Sequence, residues 1–259
     1  MDALAAHAFA DDEGNDPGVR TWSLDATTTF LRQSIKTHFE APFLVLLQGR
    51  ERSLLIDTGT GDADVRAPVE RALRDARPDL LVAHSHTHDD HVGGDDQLRG
   101  RARTSVIAHD VDAVRSALGI PSLDEPGVID LGGRLVDVLA IPGHEAAHVA
   151  FYDRATQLLF TGDTLYPGRL YVRDWGAYRA SVARLVAFTA DRPVKQVIGA
   201  HIEMDAREVE YPEKALVHPN EHALPLGLRH LHALHAALTE LGDRPARKAG
   251  PSFVIVPLA

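Results

Sequence analysis

Apolar residues in this chain arrive in short runs punctuated by turn residues. "FLVLLQ" (43–48) and "SLLID" (53–57), separated by the polar "GRER", predict a β-hairpin. The stretch 65–77 carries Val65, Val69, Leu73 and Ala76 at helical spacing, with Pro68 tolerated in the first turn. "LLVAH" (80–84) follows as a buried strand, "TSVIAH" (104–109) as another, 111–118 as a helix, and "RLVDVLAI" (134–141) as a clearly alternating strand. "HVAFYD" and "QLLFTG" pair across "RAT"; 175–188 is a helix with Tyr178, Val182, Leu185 and Val186 facing inward, and "VKQVIGA" is a strand. A long polar loop leads to a helix over 224–241, and "SFVIV" closes the chain as a strand.

Strand clusters punctuated by outer helices predict an α/β fold with two mixed sheets face to face and helices outside, a four-layer αββα sandwich. "LLIDTGTGD" (54–62) and "LLFTGDTLYPG" (158–168) share the order apolar strand, Asp and Gly, loop, a faint echo of two similar halves. At 259 residues and 44% hydrophobic content, with no low-complexity tract and no linker, the whole of 1–259 is expected to form a single domain.

Charge and composition narrow the partners. Lys plus Arg number 27 against 37 for Asp plus Glu, a net charge of -10, which argues against nucleic acid and against an anionic membrane surface. The apolar runs are too short to span a bilayer, and the acidic start "MDALAAHAFADDEGNDPG" has no secretion pattern, so a cytoplasmic location is expected by default. A small-molecule substrate remains the expected partner. With no Cys, disulfides and thiolate ligands are excluded, and any metal site must use His and carboxylate.

Such a site is suggested by "LVAHSHTHDDHVGG" (81–94), which gathers four histidines and two aspartates within eight positions at a strand end. In an extended segment, side chains two apart share a face, so His86 and His88 can converge on one ion while Asp90 and His91 serve a second. Further candidates end other predicted strands in Gly-containing loops: His144 and His148 in "IPGHEAAH", Asp163 in "FTGDT", His201 in "VIGAH".

"SHTHDDH", "PGH", "TGD" and "GAH", in this order across 43–201, resemble the metallo-β-lactamase superfamily of metallohydrolases, in its glyoxalase II and lactonase-like branch. The resemblance implies that His86, His88 and His144 hold one metal, that Asp90, His91 and His201 hold a second, and that Asp163 bridges them. Two zinc ions are the leading choice, with manganese or iron as alternatives. It further implies a bridging hydroxide attacking an ester, lactone or thioester carbonyl, with Asp90 needed for catalysis. The superfamily also contains mononuclear-iron persulfide dioxygenases, for which His86, His144 and Asp163 would suffice, and β-lactamases. Against the latter, the segment after Asp163 lacks a Lys placed for the antibiotic's carboxylate; against a glutathione thioesterase, "RPARKAGP" does not reproduce the expected Arg-x-x-Lys pattern.

Tyr166 resembles a phenol that donates to the substrate in lactone-cleaving members, the alternative being packing at the loop base. Arg169 and Arg173 either clamp a substrate carboxylate or pair with nearby acids. The loop over 202–222 is expected to wall the pocket, with Tyr211, His218 and His222 as contacts. Asp57 and His148 are assigned to orienting the ligands, His84 to a buried hydrogen bond, and Asp89 to solvent or an orienting role. His230, His232 and His235 form no convincing third site. The leucine-rich final helix permits homodimer packing, and core burial explains it equally.

Overall fold

The central strands read as continuous apolar runs because both of their faces are buried. In β3 (Phe43–Gln48), Phe43, Val45 and Leu47 enter the central core, whereas Leu44 and Leu46 enter an outer one. The computed structural model describes residues 18–73 and 79–258.

The first sheet runs in the order β1 (Val19–Asp25), β2 (Thr28–Gln33), β3, β4 (Arg52–Ile56), β5 (Asp79–Ala83), β6 (Thr104–Val106). Pairing is antiparallel from β1 to β4 and parallel from β4 to β6. The second sheet is built from β7 (Gly127–Asp130), β8 (Leu135–Ala140), β9 (Val149–Asp153), β10 (Leu158–Gly162), β12 (Gln196–Gly199) and β13 (Pro225–Leu226). There β10 and β12 are parallel and the other pairs antiparallel. A third, three-stranded sheet joins β11 (Gly168–Val172) to β15 (Phe253–Pro257) and β14 (Lys248–Gly250).

Three apolar clusters define four layers. Phe30, Val45, Leu47, Leu54 and Ile56 of the first sheet meet Val136, Val138, Phe151, Phe160 and Ile198 of the second. Outside the first sheet, α1 (Arg66–Leu73) packs Val69 and Leu73 onto Leu44, Leu46 and Leu55. Outside the second, α5 (Trp175–Thr189) and α6 (Leu228–Leu241) pack Tyr178, Val182, Leu185, Leu231 and Leu234 against Leu139, Leu159 and Val197. This is the αββα sandwich that the strand and helix pattern predicts. Smaller helices are α2 (Asp89–Val92), α3 (Asp95–Arg99) and α4 (Val111–Ala117).

Several details differ from the pattern reading. The last helix begins at Leu228, because Leu224 enters the central core and 225–226 pair with β12. The helix expected over 65–77 is described up to Leu73, and Ala76 lies outside the described residues, as does most of the acidic amino-terminal segment. The β1–β2 hairpin was not anticipated: β1 exposes alternate residues, so its apolar signal is thin. The internal echo has a topological basis, since each large sheet contains two parallel strands bridged by an outer helix: β4 and β5 by α1, β10 and β12 by α5. No helix among the described residues is long and apolar enough to cross a membrane.

One buried ion pair ties the sheets together. Arg134 donates from Nε and Nη2 to the two carboxylate oxygens of Asp153 at 3.0 and 2.7 Å. The same guanidinium donates to the Thr27 carbonyl at 2.7 Å and the Thr28 hydroxyl at 2.8 Å, in the β1–β2 turn. It thus anchors the first sheet to the β8–β9 hairpin at the end away from His144, which lies in the loop joining those two strands.

Candidate metal centre

The motif after β5 changes conformation partway, which lets neighbouring residues serve different points in space. His88 is still extended, at φ -70° and ψ 153°, and α2 begins immediately after it. Asp90 and His91 therefore sit on a helical turn rather than continuing the alternation. The turn is held close to the loop after β4: a Cβ on Gly94 would stand 2.2 Å from the Thr58 carbonyl oxygen, so only glycine fits.

Two groups of ligand atoms form. In one, His88 Nδ1 lies 2.9 Å from His86 Nε2 and 3.1 Å from His144 Nε2. In the other, Asp90 Oδ2 lies 3.1 Å from His91 Nε2 and 3.2 Å from His201 Nε2, and those two nitrogens are 3.3 Å apart. Asp163, at the end of β10, faces both. Its Oδ2 is 3.9 Å from His86 Nε2 and 3.6 Å from His144 Nε2, while Oδ1 is 3.5 Å from His91 Nε2 and 3.3 Å from His201 Nε2. A tetrahedral shell of radius ~2.1 Å spaces its ligand atoms about 3.4 Å apart, so these gaps suit a divalent cation in each group.

The far sides of the rings are tied to acceptors, which aims the inner nitrogens. His144 Nδ1 meets the Tyr171 carbonyl at 2.7 Å and His201 Nδ1 meets the Glu40 carbonyl at 2.8 Å. His91 Nδ1 is 2.9 Å from Asp57 Oδ2. With Nδ1 bonded outward in each, Nε2 is the atom left to face the cluster. Asp57 itself accepts from the Ser85 amide at 2.6 Å and the Ser85 hydroxyl at 2.9 Å, from a backbone at φ 65°. Replacing Asp57 by alanine is expected to weaken metal retention by about 10- to 100-fold, read by competition with a chromophoric chelator. Unchanged affinity would remove Asp57 from this role.

Electrostatics also fit a cation pair. Burial pushes His86 and His144 down, the latter to about 3, so both imidazoles are neutral donors. Around the second group the balance inverts: burial opposes charge on His91 and His201, yet the surrounding carboxylates outweigh it and hold His201 up to about 10. Asp163 is pushed up to about 6 by burial, against the pull of His201 and His91. Its Oδ1 is buried without a hydrogen-bond donor among the described residues, a negative site that a cation would satisfy.

Other singled-out residues fall into place. His148 is buried and stacks on the His86 ring at 4.7 Å. Gly162 sits against it: a Cβ there would stand 2.7 Å from His148 Nε2 and 2.7 Å from Ser85 Cβ, at a φ of 49°. His84 is buried and bonded to Asp95 at 2.8 Å, and Asp95 also takes His109 at 2.9 Å and Arg99 at 3.1 Å. With its oxygens shared between two imidazoles and a guanidinium, Asp95 braces the loop. Asp89 is exposed. His232 and His235 join no ligand group among the described residues, and His230 accepts from the Gly227 amide at 2.9 Å.

The substrate-side expectations are revised by these contacts. Tyr166 is buried, lines the cavity over the ligand cluster, and its hydroxyl donates to the Arg169 carbonyl and, at 3.2 Å, to Glu203, contacts of the kind the packing alternative calls for. Arg169 is engaged by Glu203 at 3.4 Å, by Glu210 at 2.9 Å and by the Tyr211 carbonyl, so it is not free to clamp a substrate. Tyr211 and His218 stack on each other at 4.1 Å within their own loop, and His222 bonds to Ser252 at 3.1 Å. The loop lends Glu203, Glu213 and Lys214, not those three aromatics, to a 270 Å³ cavity over the ligand cluster. Glu40, Tyr171 and Ser85 were missed by sequence reasoning. Two of them act through a carbonyl, which no side chain advertises.

The sequence profile of the metallo-beta-lactamase superfamily matches residues 40–201, well over half of the chain. The chain belongs to the metallo-beta-lactamase superfamily. Within it, the chain is 33% identical over 165 residues to a hydroxyacylglutathione hydrolase of Pseudomonas putida, covering 58% of each chain. It is 37% identical over 117 residues to one from a Synechococcus species, covering 43% of this chain and 46% of that one. The chain therefore spans little more than half the length of the curated relatives it matches. Among solved superfamily structures, a metallo-beta-lactamase from Erythrobacter litoralis superposes with a TM-score of 0.60 at 16% identity, covering 88% of this chain and 99% of that one. One from Pontibacter korlensis gives 0.58 at 17% identity, covering 85% and 99%. These likenesses bear on the fold, and function must be argued from the site.

Proposed function

We propose that this chain is a metal-dependent hydrolase with two adjacent divalent cations, zinc in the first instance, that cleaves an ester, lactone or thioester carbonyl. The observation that supports it most is Asp163, whose two oxygens face separate ligand groups within 3.9 Å. His86, His88 and His144 would hold one cation and Asp90, His91 and His201 the other, with Asp163 between them. Two cations so placed supply an acidified water and a Lewis acid for the carbonyl.

The chain's own groups provide orientation and exclusion. Backbone carbonyls of Tyr171 and Glu40 fix the tautomers of His144 and His201, and Asp57 fixes His91. Tyr166, buried against the His201 ring at 5.5 Å, forms a rigid floor. Thioesters enter the substrate range through the relatives named hydroxyacylglutathione hydrolases. Residues 43–201 carry the metal core in this reading. Residues 202–258 add one wall through Glu203, Glu213, Lys214 and Leu258, all within a single domain.

A substrate panel of lactones, thioesters, β-lactams and phosphodiesters, run beside metal analysis of protein purified without added metal, tests the reading. Near two zinc per chain with carbonyl-ester or thioester turnover is expected. One iron per chain with oxygen uptake on a persulfide would replace it with an oxygenase using His86, His144 and Asp163.

A further inference from the structure

A third set of metal-type donors lies outside the two groups around Asp163 and shares no residue with them. His84 directly follows β5, Asp95 opens α3, and His109 stands past the end of β6. Three separate elements thus bring one ligand atom each to within 4.8 Å of one another. His84 Nε2 is 2.8 Å from Asp95 Oδ1, and His109 Nε2 is 2.9 Å from Asp95 Oδ2.

We propose that His84, Asp95 and His109 form a further cation site, which takes a borderline divalent ion such as zinc and fills only after the catalytic pair. Two imidazoles and one carboxylate suit zinc, cobalt or nickel, and are too rich in nitrogen for magnesium or calcium. The gaps match the closest one in the catalytic groups, where His86 Nε2 and His88 Nδ1 are 2.9 Å apart. A bound ion would widen them toward the spacing of about 3.4 Å expected for a tetrahedral shell.

The placement favours one defined site over scattered surface binding. His84 and Asp95 are buried, and β5 and β6 are parallel neighbours, so His84 and His109 leave adjacent strand ends in the same direction. Their rings cross edge to face at 5.1 Å, with both Nε2 atoms turned to the one carboxylate. His109 is partly exposed, which gives an ion its way in and leaves positions open for water.

The ion has one competitor. Arg99 Nη2 lies 3.1 Å from Asp95 Oδ2, but this guanidinium is half-exposed and has a second carboxylate, Asp96, 3.4 Å from its Nε. It can therefore leave Asp95 without losing an ionic partner, and an exposed pair of this kind holds weakly. Competition from Arg99 and a shell of only three protein ligands make this the weaker site. Protein purified without added metal is accordingly expected to hold the catalytic pair alone. The Thr58 hydroxyl, 3.0 Å from Asp95 Oδ1 and 3.1 Å from the His91 carbonyl, sets the new site against the turn that carries His91.

The test is equilibrium dialysis of the full chain against buffered zinc at micromolar free concentration, with metal counted per chain by atomic emission. His109→Ala and Asp95→Asn should each bind one equivalent fewer than the parent, and His109→Ala decides alone if Asp95→Asn fails to fold. The same loss should appear when His109→Ala is added to Asp163→Ala, so the site stands or falls apart from the hydrolase reading. Arg99→Met should bind that last equivalent about two- to fivefold more tightly, the worth of one exposed ion pair. Equal zinc content in the parent and His109→Ala would overturn the inference and mark any extra zinc as adventitious. An Arg99→Met variant that binds the last equivalent no more tightly than the parent would overturn it as well.

Discussion

Asp163→Ala is expected to lower kcat/KM by about 10³-fold or more, some 4 kcal/mol of transition-state stabilisation, and to leave the protein unable to retain two metals per chain. Both results follow from one geometric fact: the Asp163 oxygens lie 3.3–3.9 Å from four imidazole nitrogens drawn from both ligand groups. Truncation therefore removes a shared ligand rather than one of several. Far-ultraviolet circular dichroism should remain that of the parent, because Asp163 packs no core surface. Full metal content with parental turnover would mean that the two groups do not act as one site.

Arg134→Met is expected to cost about 3–5 kcal/mol of folding stability, measured by denaturant unfolding, because it strands the buried Asp153 carboxylate. The wild-type pair has a signed dependence on acidity. Burial raises the Asp153 carboxyl, but the hydrogen bonds from Arg134 and Thr156 outweigh it and hold it below the ordinary carboxylate value. A lowered folded-state value means the stabilisation is fully present above the unfolded-state value of about 3.9 and is lost as pH falls through the folded one. Wild-type stability should therefore decline in acid, and the variant should lose much of that limb. An unchanged acid limb in the variant would assign it to other carboxylates.

Much of the metal centre was legible because its residue types are rare at strand ends and its loops are short. A strand leads into His86 and His88, and a glycine directly precedes each of His144 and Asp163. The four layers were legible because continuous apolar runs imply strands covered on both faces. What escaped detection depends on partners distant in sequence. Tyr166 stands three residues past Asp163, where a substrate donor was plausible, but its hydroxyl is claimed by Arg169 and Glu203, the latter 37 positions away. Arg169 and Arg173 look alike in "GRLYVRDW", yet only Arg169 meets the acids of the 202–222 loop.

The two ends of the sandwich are fastened by unlike chemistry. At one end Arg134 clasps a carboxylate and a turn carbonyl, a rivet made wholly of protein and present as soon as the chain folds. At the other, imidazoles and carboxylates from the two sheets meet directly, His88 with His144 at 3.1 Å and Asp90 with His201 at 3.2 Å, contacts that a cation in each group would replace with shared ligation. On the proposed reading, stripping metal alters the contacts at that mouth and leaves the Arg134 rim as it is.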